Sequence, residues 1–189
     1  MTKIKDRPFI LGLGGTTSPN SSTEQALAIA LKTASDAGAE TALFGATELC
    51  ALPHYRSDPV GLNETGKALV DAVRRADGII LASPGYHGTI SGLVKNAVDY
   101  IEETASDGRV YLDGLPVGLI ATAYGWQATG STLAAMRSIV HALRGWPTPL
   151  GVGINSSGGI FKNGICADNG VNDQLRLVAE QVMRGSHRR

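Results

Sequence analysis

Ile79-Ile80-Leu81-Ala82-Ser83-Pro84-Gly85-Tyr86-His87-Gly88-Thr89 is the stretch on which the architecture turns. Its first four residues are apolar without alternation, the pattern of a strand buried on both faces rather than on one. The proline and glycines that follow read as a loop. Behind the loop, Leu93, Ala97 and Ile101 stand four apart, as on one face of a helix. Strand, loop and helix therefore succeed one another within little more than twenty residues.

The same unit recurs on either side. Toward the N-terminus, residues 9–13 form an apolar run, followed by the hydroxyl-rich loop Gly14-Gly15-Thr16-Thr17-Ser18-Pro19-Asn20-Ser21-Ser22. A helix then opens on a Ser21/Glu24 capping box, carries an inward stripe of Ala26, Leu27, Ala30, Leu31 and Ala34, and stops at Gly38. Residues 41–44 read as a weaker second strand, 52–61 as an irregular connection, and Leu69, Val70, Val73 and Ala76 as the face of a helix that begins at Asn63. Toward the C-terminus, 115–121 is a fourth strand, followed by Thr122-Ala123-Tyr124-Gly125 and a helix bearing Leu133, Met136, Val140 and Leu143, closed by Gly145-Trp146-Pro147. Residues 150–154 are a fifth strand, 155–170 a glycine-rich stretch, and Val171, Leu175, Val178 and Val182 the face of a last helix. Five apolar strands alternating with five helices predict an α/β, doubly wound parallel sheet with helices on both faces. Neither a repeat nor a linker interrupts the pattern, so residues 1–189 are expected to form one domain, with 155–170 as a flap or assembly loop.

Composition narrows the function. The chain has 189 residues, 24 of them glycine, about 13% where roughly 7% is ordinary. An apolar content of 43% excludes disorder, and glycines without a three-residue period exclude collagen. Seventeen basic and seventeen acidic residues give zero net charge, which argues against nucleic acid; the terminal pair Arg188-Arg189 reads as solvated. Cys50 and Cys166 form no CxxC pair, as expected of a reducing compartment. The histidines His54, His87, His141 and His187 lack metal-ligand spacing, so no metal site is expected. The apolar run after the charged first eight residues is too short for a signal peptide, and no segment approaches the roughly 20 apolar residues of a membrane helix. The expectation is a soluble, cytoplasmic protein with no membrane or nucleic-acid partner.

In a sheet of this kind ligands bind beyond the carboxyl ends of the strands, where the strand order reverses. The first loop directly precedes a helix N-terminus, whose unpaired N–H groups and positive dipole end attract anions. Thr16, Ser18, Ser21, Ser22 and Thr23 are candidate donors to a phosphate, with Gly14 and Gly15 letting the backbone approach. The plainer reading, Ser21 as a cap and the rest as ordinary loop, accounts for one hydroxyl and leaves four. Two other phosphate motifs fit poorly. Gly12-x-Gly14-x-x-Thr17 lacks the third glycine of the dinucleotide fingerprint, and Gly61-x-x-x-x-Gly66-Lys67 has Ala68 where magnesium needs a hydroxyl. In the second loop, Pro84, Gly85, Tyr86, His87, Gly88 and Thr89 offer a rigid turn, backbone N–H groups and a flat ring, suited to a planar heterocycle; Tyr86 as a packing residue is the alternative.

The segment Ser83-Pro84-Gly85-Tyr86-His87-Gly88-Thr89-Ile90-Ser91-Gly92-Leu93-Val94-Lys95-Asn96-Ala97-Val98-Asp99 resembles the P-E-Y-N-G-S-x-P-G-x-L-K-N-x-x-D signature of the NAD(P)H-dependent FMN reductases, which are flavodoxin-like flavoproteins. The first loop is similar to that family's G-S-x-R-x-x-S phosphate loop. The resemblance implies a flavodoxin-like five-stranded sheet of order 2-1-3-4-5 and FMN as cofactor. It implies that Thr16, Ser18, Ser21 and Ser22 hold the phosphate, that Pro84, Tyr86, His87 and Gly88 line the isoalloxazine, and that Thr122, Ala123, Tyr124 and Gly125 reach its other edge. It further implies hydride transfer from NADPH or NADH to flavin N5, then electron delivery to free flavin, a quinone or a similar acceptor. The cofactors carry that chemistry, which accords with the absence of a recognisable side-chain catalytic constellation. A homodimer or homotetramer built on residues 63–76 and 92–103, and a flavin-dependent monooxygenase as partner, are implied in the same way.

The chain also departs from the pattern. Ser18 replaces a frequent arginine, leaving the helix dipole and hydroxyls to meet the phosphate charge. His87 stands for the usual asparagine, Gly85 for the usual glutamate, and Ala123-Tyr124 for a frequent double glycine. Trp126 is open to two readings, stacking on a ring or packing at a subunit contact. The alternative function is a flavodoxin-like FMN electron carrier that does not oxidise nicotinamide. Such carriers tend to be strongly acidic, unlike this chain. A hydrolase is disfavoured because no G-x-S-x-G occurs.

Overall fold

The computed structural model describes residues 7–57 and 62–186. Gly61 of the GxxxxGK match, His187, Arg188, Arg189 and most of the charged N-terminal lead-in fall outside the described residues. In chain order the elements are β1 Phe9–Gly14, α1 Ser22–Asp36, β2 Glu40–Phe44, α2 Ala46–Ala51, α3 Glu64–Arg75, β3 Gly78–Tyr86 and β4 Thr89–Ile90. There follow α4 Gly92–Asp99, a 3₁₀ turn Tyr100–Thr104, β5 Pro116–Ala123, α5 Trp126–Ala142, β6 Trp146–Asn155, β7 Phe161–Lys162, β8 Ile165–Cys166 and α6 Asn169–Ser186.

Five parallel strands hydrogen-bond in the order β2-β1-β3-β5-β6, the expected 2-1-3-4-5 path once the short β4 is set aside. The apolar strands read continuously because each feeds two cores. In β1, Leu11 and Leu13 face the side covered by α3, α4 and α5, where Leu69, Val73, Val94 and Met136 pack. Ile10 faces α1 and α6 and meets Leu27, Leu31, Val178 and Val182. Ile79 and Leu81 of β3 divide from Ile80 and Ala82 in the same way. Each such side chain is fully or nearly fully buried, worth about 1.5–3 kcal/mol apiece for Leu or Ile.

Several local expectations are corrected. β3 continues through Ser83-Pro84-Gly85-Tyr86, and β4 folds back against it with Gly85 opposite Ile90 and Tyr86 opposite Thr89. The expected loop is therefore a hairpin, turning on His87 (φ 51°) and Gly88 (φ 94°). Positive φ at both central residues is what a two-residue type I′ turn requires. β5 runs on through Thr122 and Ala123, and Trp146-Pro147, expected to close a helix, instead opens β6. The 155–170 stretch contains the antiparallel hairpin β7–β8. The capping box is half formed: Ser21 Oγ accepts from Glu24 N at 3.3 Å, but the Glu24 carboxylate accepts from Asn20 N (3.3 Å) and from Ala46 N at the start of α2 (2.7 Å). Gly66 and Lys67 sit in the first turn of α3, capped by Asn63, and Lys67 pairs with Glu64; this is no phosphate loop.

Candidate functional site

The strand order reverses between β1 and β3, and the carboxyl ends of β1, β3 and β5 open into a cleft of about 690 Å³. At the carboxyl end of β1, Gly14 has φ 143°, and a Cβ there would lie 1.9 Å from the Ala82 carbonyl oxygen. Only glycine lets β1 leave the sheet at this angle so close to β3.

The first loop braces itself. Thr16 Oγ1 accepts from Ser18 N at 3.0 Å and donates to Ser18 O at 3.2 Å, while Ser21 N donates to the same carbonyl at 3.3 Å. Asn20, in the left-handed region at φ 59°, is held by its amide on Glu24 and by its carbonyl under Gln25 Nε2 at 2.6 Å. Beyond the cap at Ser21, the amides of Ser22 and Thr23 are among the N–H groups that a helix start leaves without an intrahelical partner. Thr16, Ser18, Ser21, Ser22 and Thr23 all line the cleft. Their hydroxyls differ in what remains to offer. Among the described residues the hydroxyls of Ser18 and Ser22 make no hydrogen bond, and that of Ser21 keeps its proton because it only accepts from Glu24. Thr16 is engaged within the loop, and Thr23, buried, lies 2.6 Å from Thr122 Oγ1.

Of the second segment, Pro84, Gly85 and Tyr86 line the cleft, with Tyr86 52% exposed. His87, Gly88 and Thr89 do not; they form the exposed tip of the β3–β4 hairpin. Ser83 Oγ accepts from Ser91 N at 3.0 Å and donates to Pro84 O at 2.9 Å, tying this hairpin to the cap of α4. Gly85 stands where the resembling family has glutamate, and packing gives the reason. A Cβ would come within 2.7 Å of Thr132 Oγ1 and 3.1 Å of the Ala128 carbonyl, so α5 seats directly on this backbone.

Thr122 and Ala123 reach the cleft from the end of β5, and Tyr124 and Gly125 from the turn into α5, Gly125 serving as its N-cap. Tyr124 is 82% exposed, and Trp126, first residue of α5, is 66% exposed. Five further residues line the cleft without having been singled out: Asn20, Gln25, Ala128, Ser156 and Phe161. Asn20 lies within the hydroxyl cluster and Gln25 two residues beyond it, so both could have been added by adjacency. Ser156 and Phe161 come from the glycine-rich stretch, and no local signal marks them.

Among the described residues, no lysine, arginine, histidine, aspartate or glutamate lines the cleft. Any anion bound there meets neutral donors and a helix N-terminus. A smaller hollow of about 360 Å³ lies by Arg74, Thr104, Asp107, Gly108 and Arg109. There Arg109 donates to the carbonyls of Val73, Arg74 and Ala76, closing the end of α3. That accounts for the hollow structurally.

The chain is similar to the FMN-dependent NADPH-azoreductase of Staphylococcus haemolyticus, 34% identical over 91 residues, 48% of this chain and 45% of that one. It is similar also to that of Staphylococcus aureus strain USA300, 32% over 96 residues, 51% and 47%. The chain thus spans about half the length of these curated relatives. Among solved structures, an oxidoreductase from Corynebacterium diphtheriae superposes with a TM-score of 0.77 at 18% identity, covering 97% of this chain and 99% of the other. A flavoenzyme NAD(P)H:(acceptor) oxidoreductase from Paracoccus denitrificans does so at 0.72 and 20%, covering 94% and 98%. At those identities the likeness establishes the fold. The sequence model for NADPH-dependent FMN reductase matches residues 8–158, from the start of β1 past the end of β6. That span contains the hydroxyl loop, the β3 hairpin and the end of β5 that together frame the cleft, and the chain belongs to the NADPH-dependent FMN reductase family.

Proposed function

We propose that this chain is an NAD(P)H-dependent flavin reductase that binds FMN in the cleft at the ends of β1, β3 and β5. The observation that carries the reading is the convergence of three segments on one neutral cleft: a helix N-terminus rich in hydroxyls, the flat Tyr86 at the end of β3, and the backbone of residues 122–125. The group fits on its chemistry. The volume, about 690 Å³, is within the range of cofactor pockets, and donors without carboxylates suit a phosphate at one end.

In this reading the amides of Ser22 and Thr23 and the hydroxyls of Ser18, Ser21 and Ser22 grip the phosphate, with Thr16 shaping the loop. Pro84, Gly85 and Tyr86 form one wall of the ring site, and Thr122, Ala123, Tyr124 and Gly125 the other. His87, Gly88 and Thr89, at the hairpin tip, flank the mouth. When bound, FMN accepts a hydride from NADPH or NADH and hands electrons to an acceptor. The protein binds and orients the rings and needs no catalytic base. Free flavins, quinones and azo compounds, the last named for the staphylococcal relatives, are the acceptor classes to examine. Residues 1–189 acting as one FMN-binding domain, assembly as a homodimer or homotetramer, a flavin-dependent monooxygenase as recipient, and a cytoplasmic location belong to the same proposal. Among the described residues, no helix is long and apolar enough to cross a membrane.

The test is an absorption spectrum and a turnover assay. Purified protein should carry or take up FMN, with flavin bands, and should oxidise NADPH or NADH with FMN, riboflavin, a quinone or an azo dye present. Failure to bind FMN at high micromolar concentration refutes the reading. Binding without nicotinamide oxidation makes the chain an electron carrier instead.

A further inference from the structure

The β7–β8 hairpin lies beyond the residues that match the family and is not used by the reading above. It turns on Asn163 (φ 50°) and Gly164 (φ 79°), the Asn-Gly pair that a type I′ turn favours. A two-stranded hairpin is marginal by itself, so its position must be imposed from outside. At its base this is done by burial. Phe161 and Cys166 are sequestered in the core with Ala26, Leu27 and Leu175, and Asn172 Nδ2 donates to Cys166 O at 2.9 Å.

The exposed tip is held differently. Gly164 N donates to Gln25 Oε1 at 2.9 Å across 139 positions, and the same side chain's Nε2 donates to Asn20 O at 2.6 Å. One amide group therefore joins the hairpin to the loop that directly precedes the cap of α1. Both Gln25 and Phe161 line the cleft, and Phe161 shares a core with Ala26 and Leu27 of α1, the helix whose start carries Ser22 and Thr23. The tip bond fixes one end of the Gln25 amide, and the other end, Nε2, holds the carbonyl of a left-handed residue, Asn20, and with it the peptide that enters the helix start.

We propose that the β7–β8 hairpin is the wall of the cleft's phosphate end, and that Gln25 is the positioning residue that locks it to the phosphate loop, so that the site selects phosphorylated flavin over the dephosphorylated form. This rests on the FMN reading. Riboflavin shares every ring and ribityl atom with FMN and lacks only the phosphate, so the ratio of the two affinities isolates the phosphate end.

The experiment measures binding of FMN and riboflavin to the flavin-free full chain by fluorescence titration, for wild type and Gln25→Ala. Alanine is the best helix former and keeps α1 intact. Loss of the clamp should weaken FMN about tenfold and change riboflavin by less than about twofold. Equal weakening of both flavins, or no weakening of either, in a variant that melts like wild type overturns the assignment. A second measurement covers a variant that fails to fold. In the wild-type chain, exchange of the Gly164 amide hydrogen should slow more with FMN than with riboflavin, and equal protection overturns the proposal. A wild-type chain that binds neither flavin refutes the FMN reading and this inference together, a result distinct from FMN binding that ignores Gln25.

Discussion

The side-chain oxygens of Thr23 and Thr122 lie 2.6 Å apart although the residues are 99 positions apart in the chain, and both side chains are buried. One hydroxyl donates to the other, so the pair shares one proton and retains a second. The bond joins the first turn of α1 to the carboxyl end of β5, two of the three segments framing the cleft. Replacing either threonine alone by valine leaves its partner without a buried hydrogen bond and should cost about 1–3 kcal/mol of stability. Replacing both should recover part of that loss, because no orphan remains. Denaturant unfolding of the two single variants and the double variant reads this directly; strict additivity would show that the bond is energetically idle.

Gly14→Ala should be among the most damaging single changes. The methyl would sit 1.9 Å from the Ala82 carbonyl oxygen at φ 143°, so strand and loop must separate, at a cost of more than about 3 kcal/mol. Gly130→Ala is the control. It lies within α5 with open space around it and should raise stability by about 0.5–1 kcal/mol. Thermal melts of the two variants should move in opposite directions.

Ser22→Ala should leave the fold untouched and weaken FMN by about 1–3 kcal/mol, the range for a hydrogen bond to a neutral or charged acceptor, with riboflavin unaffected. Ser21→Ala should do the same and also cost about 1 kcal/mol of fold stability, because Ser21 caps α1. Titration and melting separate the two effects. Unchanged FMN affinity in both variants would remove the phosphate from this loop.

For Tyr86→Ala the expected result is a larger loss of FMN affinity with an unchanged circular dichroism spectrum, since the ring is 52% exposed and lines the cleft. Unfolding of the variant would mean that the ring packs rather than binds.

Tyr55 gives a pH dependence remote from the cleft. Burial, then its hydrogen bond to Glu103 at 2.9 Å and the negative charges of Glu103, Glu102 and Asp99, push its hydroxyl up to about 12. A folded-state value above the unfolded one means that the neutral phenol is favoured by folding. Its contribution is complete below the unfolded value near 10 and is lost as pH rises through about 12. Tyr55→Phe should flatten the alkaline fall of stability in that window, read as melting temperature against pH.

Much of the architecture could be read from residue order, for a physical reason. Ile79 to Ala82 and the run through Leu11 lack polar residues because both faces of their strands are covered, and their shortness and flanking glycines set them apart from buried helices. The hydroxyl loop was legible because it abuts a helix start whose cap, Ser21, is a local motif. The reading failed where local composition and tertiary demand disagree. Pro84-Gly85-Tyr86 looks like loop but pairs with β4, and Trp146-Pro147 looks like a helix stop but pairs with Pro116 and Val117. Both prolines lie toward a strand end, Pro84 past the last pairing of β3 with β1 at Ala82 and Pro147 second in β6, where a missing N–H is most readily tolerated.

What the sequence determined by itself is the doubly wound sheet, the order of its units and the loops at its carboxyl edge, since these follow from apolar periodicity and caps encoded within a few residues. What only the tertiary structure decided is the use of each polar group in the cleft. Thr23 turns from the solvent toward Thr122, Glu24 crosses to Ala46 rather than closing its own capping box, and Gln25 reaches Gly164. A side-chain donor or acceptor has several partners within reach once the chain is compact, and the one it takes depends on distances between segments far apart in sequence.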